Sequence, residues 1–165
     1  MSPLLGLHAP HIHLAARSRG TLENRGMWAF LSRNRDAGLL MLRLTLGALF
    51  IWAHGWHKLA GGIEHWRKVG AAMQELGITF WPAFWGFLAA MAESVGLVLF
   101  MIGLAFRPAC LVIAFTMAVA GIVMWHHPIN SDLGRLASAS HAWELGLVFF
   151  SMIFIGPGKY SVDKN

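Results

Sequence analysis

Four apolar stretches dominate the sequence, at about residues 37–55, 82–104, 108–126 and 142–156, each near the length at which a helix crosses hydrocarbon. Inside a bilayer every backbone polar group must be satisfied within its own segment. The expected fold is therefore all-α, an integral membrane four-helix bundle. The composition excludes an ordinary soluble domain: 56% of the 165 residues are hydrophobic, 13% are charged, and the mean hydropathy is +0.55. The net charge of +5 is concentrated near the start of the chain and in short loops, which suits anionic lipid headgroups better than nucleic acid. The single cysteine, Cys110, rules out both an intramolecular disulfide and a dithiol relay. Any redox role must borrow a cofactor.

Residues 1–36 read as a basic tail, with Arg17, Arg19, Arg25, Arg33 and Arg35, a short surface helix around Met27 to Leu31, and no apolar core of the kind a signal peptide needs. His8, His11 and His13 have the composition of a metal-binding tract, but ordinary tail composition explains them more simply. Residues 37–165 form the membrane domain. Eight lysines and arginines lie on the side of both termini: the five named, Arg107, Lys159 and Lys164. Four lie on the other side: Lys58, Arg67, Lys68 and Arg135. This places both termini in the cytoplasm of a bacterial inner-membrane protein. Seven of the eight tryptophans then fall near the outer boundary. Between the first two spans, Ile63, Trp66, Gly70, Met73 and Gly77 recur at three and four residues. The pattern predicts an interfacial amphipathic helix roofing the mouth of the bundle.

On a helix, Arg43, Gly47, Phe50, His54 and His57 share one stripe. An arginine in hydrocarbon costs about 2.5 kcal/mol or more, so this stripe should face protein. In the second span Glu93 lies among Gly86, Ala89, Ala90 and Gly96, small residues that let another helix come close. Counting rise per residue puts Arg43 and Glu93 about one turn apart in depth, which predicts a buried Arg43–Glu93 pair. The plain structural reading of such a pair is a register device without chemistry. Nearer the outer face, Glu144 is expected to join His54, His57, His126, His127 and His141 in a second polar cluster. A zinc site from His54, His57 and Glu144 lacks convincing ligand spacing, so no metal is expected. No phosphate loop, nucleophile elbow or HExxH occurs.

The LRL around Arg43, the HGWHKLAGG that closes the first span, AxxE followed by a glycine in the second, and the terminal GPGKYSVD together resemble the DoxX family of small membrane proteins, over about residues 37–163. The resemblance implies a four-helix membrane bundle, similar to membrane subunits of thiosulfate:quinone oxidoreductase or of other membrane oxidoreductase complexes. Carried over by position, the matching residues are Arg43, His54, Gly55, Lys58, Glu93 and the segment 156–163. The histidines at 126, 127 and 141 fall outside the pattern.

The leading functional expectation is a membrane subunit of a quinone-linked oxidoreductase. His54 or His57 would donate to the quinone, with Trp56 and Lys58 beside them, and Glu144 would relay protons. Electrons would come from a partner protein or a small sulfur compound, because no CxxCH or iron–sulfur spacing is present. A haem held by two non-adjacent histidines is compatible with the sequence. The rival reading is a non-catalytic anchor subunit of a larger complex, contacting lipids and partner proteins. A transporter is less favoured, since the spans show neither an inverted repeat nor a pair of broken helices.

Overall fold

The computed structural model describes residues 33–128 and 134–163. The chain divides into two units, Met1–Arg35 and Asp36–Asn165. The first is described only at its last three residues, so the tail histidines and the helix expected near Met27 lie outside the described residues. Among the described residues there is no strand. The helices are α1 (Arg35–Ala60), α2 (Gly62–Gly70), α3 (Pro82–Ile102), α4 (Phe106–His126) and α5 (Gly134–Ile155). All but α2 are long and apolar enough to cross a membrane, and the chain is a multi-pass membrane protein. Helix α5 starts about eight residues before the expected apolar stretch. Its first turns look polar, but Ser138 and Ser140 turn their hydroxyls back onto the carbonyls of Gly134 and Ala137, so they need no water.

The centre of the bundle is an aromatic column. Phe100 of α3 stacks on Phe106 of α4 and meets Phe149 of α5 edge-on, and Phe149 in turn meets Phe50 of α1. Leu97, Ile113, Met117 and Met152 fill the space around it. Met41, Leu49, Leu111, Leu147 and Phe154 are left on the outside, where lipid covers them.

Two helices carry a π-turn, Ile51–Gly55 in α1 and Ala92–Gly96 in α3. Each absorbs one extra residue, so the face presented by everything after it rotates by about 100°. The two turns are apposed: a Cβ at Gly55 would overlap the Glu93 carbonyl, so only glycine permits this contact. Ser94, buried in the second turn, bonds back to the Ala90 carbonyl at 2.6 Å.

Helix α2 forms where the amphipathic pattern places it, and it packs lengthwise against the first turns of α3. Gly70 lies on Pro82 and Gly86, and Gly86 lies on the Trp66 backbone. Trp66 packs on Phe87 and donates to the Lys58 carbonyl at 2.9 Å, fixing the corner between α1 and α2. The connecting helix thus forms a wall of the bundle.

At the opposite end the C-terminal segment is woven into the helix termini. The Lys159 amide donates to Asp36, Val162 and Asp163 donate to the carbonyls of Ile102 and Gly103, and the Phe106 amide donates to the Asp163 carboxylate at 2.9 Å. Asp163 therefore caps α4 from 57 residues away, at a helix start whose own N-cap, Ala105, has no side chain able to do so. The start of α1 and the end of the membrane domain meet at this end of the bundle.

Candidate functional site: a buried carboxylate in an apolar cleft

Arg43 is buried, 1% exposed. Its guanidinium donates to the carbonyls of Phe100 (3.2 Å), Met101 (2.8 Å) and Pro157 (2.6 Å), and lies 5.9 Å from the centre of the Phe106 ring. These acceptors are carbonyls at the end of α3, where Phe100 also accepts from the Gly103 amide, and in the turn after α5, so Arg43 acts as a shared C-terminal cap. Gly103, at φ +69°, reverses the chain directly beneath it.

The expected Arg43–Glu93 pair does not form. Helical side chains lean toward their own N-terminus, and α1 and α3 run antiparallel. Arg43 therefore leans toward the end of α3, while Glu93 leans the other way. Eight residues separate Glu93 from Met101, about 12 Å along the helix.

Glu93 pairs with Lys58 instead, Nζ to Oε1 at 2.6 Å. By the same leaning rule, lysine on the rising helix points down and glutamate on the descending helix points up. The π-turn in α1 supplies the rest: it carries His57 off the Arg43 stripe and brings Lys58 onto it. The Glu93 side chain is fully buried and that of Lys58 is three-quarters buried. Glu93 Oε2 is buried without a hydrogen-bond partner among the described residues.

The pair closes one end of a cleft of about 270 Å³ between α2, α3 and α4. Gly70, Met73, Trp85, Ala89, Phe115 and Val119 supply most of the apolar lining. The cleft thus combines an apolar slot with an ammonium donor and an unused carboxylate oxygen at its end. Among the described residues no histidine lines it.

The expected outer cluster of His54, His57 and Glu144 is not assembled. His54 stays near the pair: its ring packs on Phe50 with centroids 4.9 Å apart, and it lies within electrostatic reach of Glu93, Lys58 and His141. His57 and Trp56 instead line an external groove with Trp52, for the rotational reason given above. Glu144 is exposed on the far side of α5, opposite the buried Ala142, Gly146 and Phe149. Among the described residues no group of three or more His, Cys, Asp or Glu side chains is placed to hold a metal ion.

His126 and His127 do find a carboxylate, but it is Glu75, in the 3₁₀ segment Ala71–Leu76. The two imidazoles tie Glu75 to the end of α4, and their hydrogen bonds lower its pKa below the usual 4.5. A carboxylate with a lowered folded pKa stabilises the native state above its unfolded value and loses that contribution as the pH falls through the folded one. The stability difference between wild type and Glu75→Gln is therefore expected to be present at about pH 5 and to vanish in stronger acid. Thermal unfolding in detergent between pH 3 and 8 measures it. A difference that persists unchanged at pH 3 would contradict the assignment.

A family model, DoxX, matches residues 38–127. The chain belongs to the DoxX family. The match covers α1, α2, α3 and α4, hence Arg43, both π-turns, and the Lys58–Glu93 pair. Helix α5 and the segment 156–163 lie outside the matched residues, although in this DoxX chain they hold Arg43 and cap α4. Neither the curated proteins nor the solved structures yielded a match.

Proposed function

We propose that this DoxX-family protein is the membrane subunit of a quinone-linked oxidoreductase, with the Lys58–Glu93 cleft receiving the quinone headgroup. The observation carrying this reading is Glu93 Oε2, a buried acceptor without a partner at the end of an apolar slot. Buried polar atoms are satisfied in the great majority of cases, so an orphan acceptor at the end of a cleft points to a bound donor, which the hydroxyl of the reduced quinone supplies. Reduction of a quinone takes up electrons and protons in equal number, the electrons here coming from a reduced sulfur compound or a partner electron-transfer protein.

The residues fit that chemistry. Lys58 offers ammonium hydrogens to a carbonyl oxygen, and Glu93 Oε2 accepts a hydrogen bond from the hydroxyl of the reduced quinone. Trp85, Phe115 and Val119 exclude water from around the pair. Haem fits poorly, because the cleft offers no imidazole as an axial ligand. The anchor-subunit reading retains one supporting observation: Arg43 is consumed entirely by helix carbonyls, which is a structural task.

The proposed setting is a bacterial inner membrane, with both ends of the chain in the cytoplasm. Protein purified in mild detergent should carry quinone extractable by organic solvent, and Glu93→Gln protein of equal yield should carry several-fold less. Equal quinone in both preparations would remove the assignment.

A further inference from the structure

We infer that the outward face of α5 is a docking surface for a transmembrane helix of a different subunit, one that carries a basic residue at mid-membrane depth. Glu144 stands ten residues from Gly134 and eleven from Ile155, at the middle of a helix of membrane-spanning length. Each end is about 15 Å away. Its side chain is exposed, and among the described residues no hydrogen bond or ion pair involving it is found. Leu147, Ser151 and Phe154 follow at spacings of three and four, forming one exposed stripe opposite the buried Ala139, Ala142, Gly146, Phe149 and Met152.

A carboxylate facing hydrocarbon at this depth is costly, and such groups are normally found paired. Among the described residues no basic side chain is paired with Glu144. Arg43 is held by three carbonyls and Lys58 by Glu93. Arg107 and Arg135 sit in the first turns of their helices, and Arg67 and Lys68 lie on α2. His141, one turn away on α5, makes no hydrogen bond to Glu144. A second copy docking through this face would bring only the same carboxylate and that imidazole. A basic residue on a helix of another subunit supplies a permanent opposite charge at the right level, as charge complementarity at an interface requires. Docking here does not need the cleft to be occupied.

The test uses full-length protein, fluorescently labelled, in phospholipid vesicles with synthetic leucine–alanine transmembrane peptides. One peptide has a single central arginine and the other a leucine in its place. Energy transfer should show association with the arginine peptide well above that with the leucine peptide, and Glu144→Gln should weaken it roughly fivefold. Leu147→Trp, which obstructs the same stripe without touching the charge, should weaken it as well. Equal association of both peptides, or no loss in Glu144→Gln, overturns the proposal. Self-association of the protein that Glu144→Gln abolishes assigns the face to a second copy and overturns it too.

Discussion

Replacing Arg43 by methionine is expected to destabilise the bundle by about 3–5 kcal/mol, the largest effect of any single substitution in the membrane domain. The side chain is 1% exposed and satisfies carbonyls from two different segments, at the end of α3 and after α5. Its loss leaves the Met101 and Pro157 oxygens without donors in an apolar setting, at about 1–3 kcal/mol for each one stranded, while the Phe100 oxygen keeps the Gly103 amide. Lysine should recover only part of the loss, because a single ammonium cannot reach all three carbonyls as the guanidinium fork does. Unfolding in mixed micelles measures the difference. The same experiment separates Arg43 from Glu93. With the two about 12 Å apart along the bundle, their losses should add within about 0.5 kcal/mol.

The second large effect belongs to the Lys58–Glu93 pair, and it should be asymmetric. Lys58→Met strands a fully buried carboxylate, whereas Glu93→Gln leaves an ammonium that is one-quarter exposed and reaches water. The lysine replacement should therefore cost about 3 kcal/mol or more and the glutamate replacement clearly less. Combining Lys58→Met with Glu93→Gln should restore much of the stability, giving a coupling energy above about 1 kcal/mol. Strict additivity would mean that the 2.6 Å contact contributes nothing. For quinone binding the order reverses: Glu93→Gln removes the carboxylate that accepts from the hydroxyl of the reduced quinone, so binding should fail there even though the fold survives.

The bundle was legible because hydrophobic length is a strong signal, and so was the burial of Arg43 and Glu93, since neither charge belongs in lipid. Their partners were misassigned for two physical reasons. Depth was counted from Cα positions alone, which ignores the lean of helical side chains toward the N-terminus; including it separates Arg43 from Glu93 and turns Lys58 toward Glu93. The regular 100° rotation also assumes an unbroken α-helix. A π-turn leaves no clear mark in IWAHG or AESVG, yet it decides that Lys58 and not His57 faces inward. Glu144 belongs to the outer cluster only if the last span starts near residue 142; the helix starts at Gly134, which moves Glu144 to its middle, and its angular position, opposite Ala142 and Gly146, turns it outward. The use of Glu75 by His126 and His127 depends on the path of a connecting segment, which residue periodicity does not encode.

Trp85 lines the cleft and reports on its contents. The most direct measurement is therefore quenching of its fluorescence by a short-chain quinone in nanodisc-embedded protein, taken as the part of the signal that Trp85→Phe removes. Saturable quenching is expected for the protein with Lys58 and Glu93 intact, with an affinity at least about tenfold weaker in Glu93→Gln, a loss of about 1.4 kcal/mol. His57→Ala should leave it unchanged, since His57 lies outside the cleft. Quenching that rises linearly with quinone concentration, or saturates equally well in a folded Glu93→Gln variant, would contradict a quinone site at the Lys58–Glu93 pair.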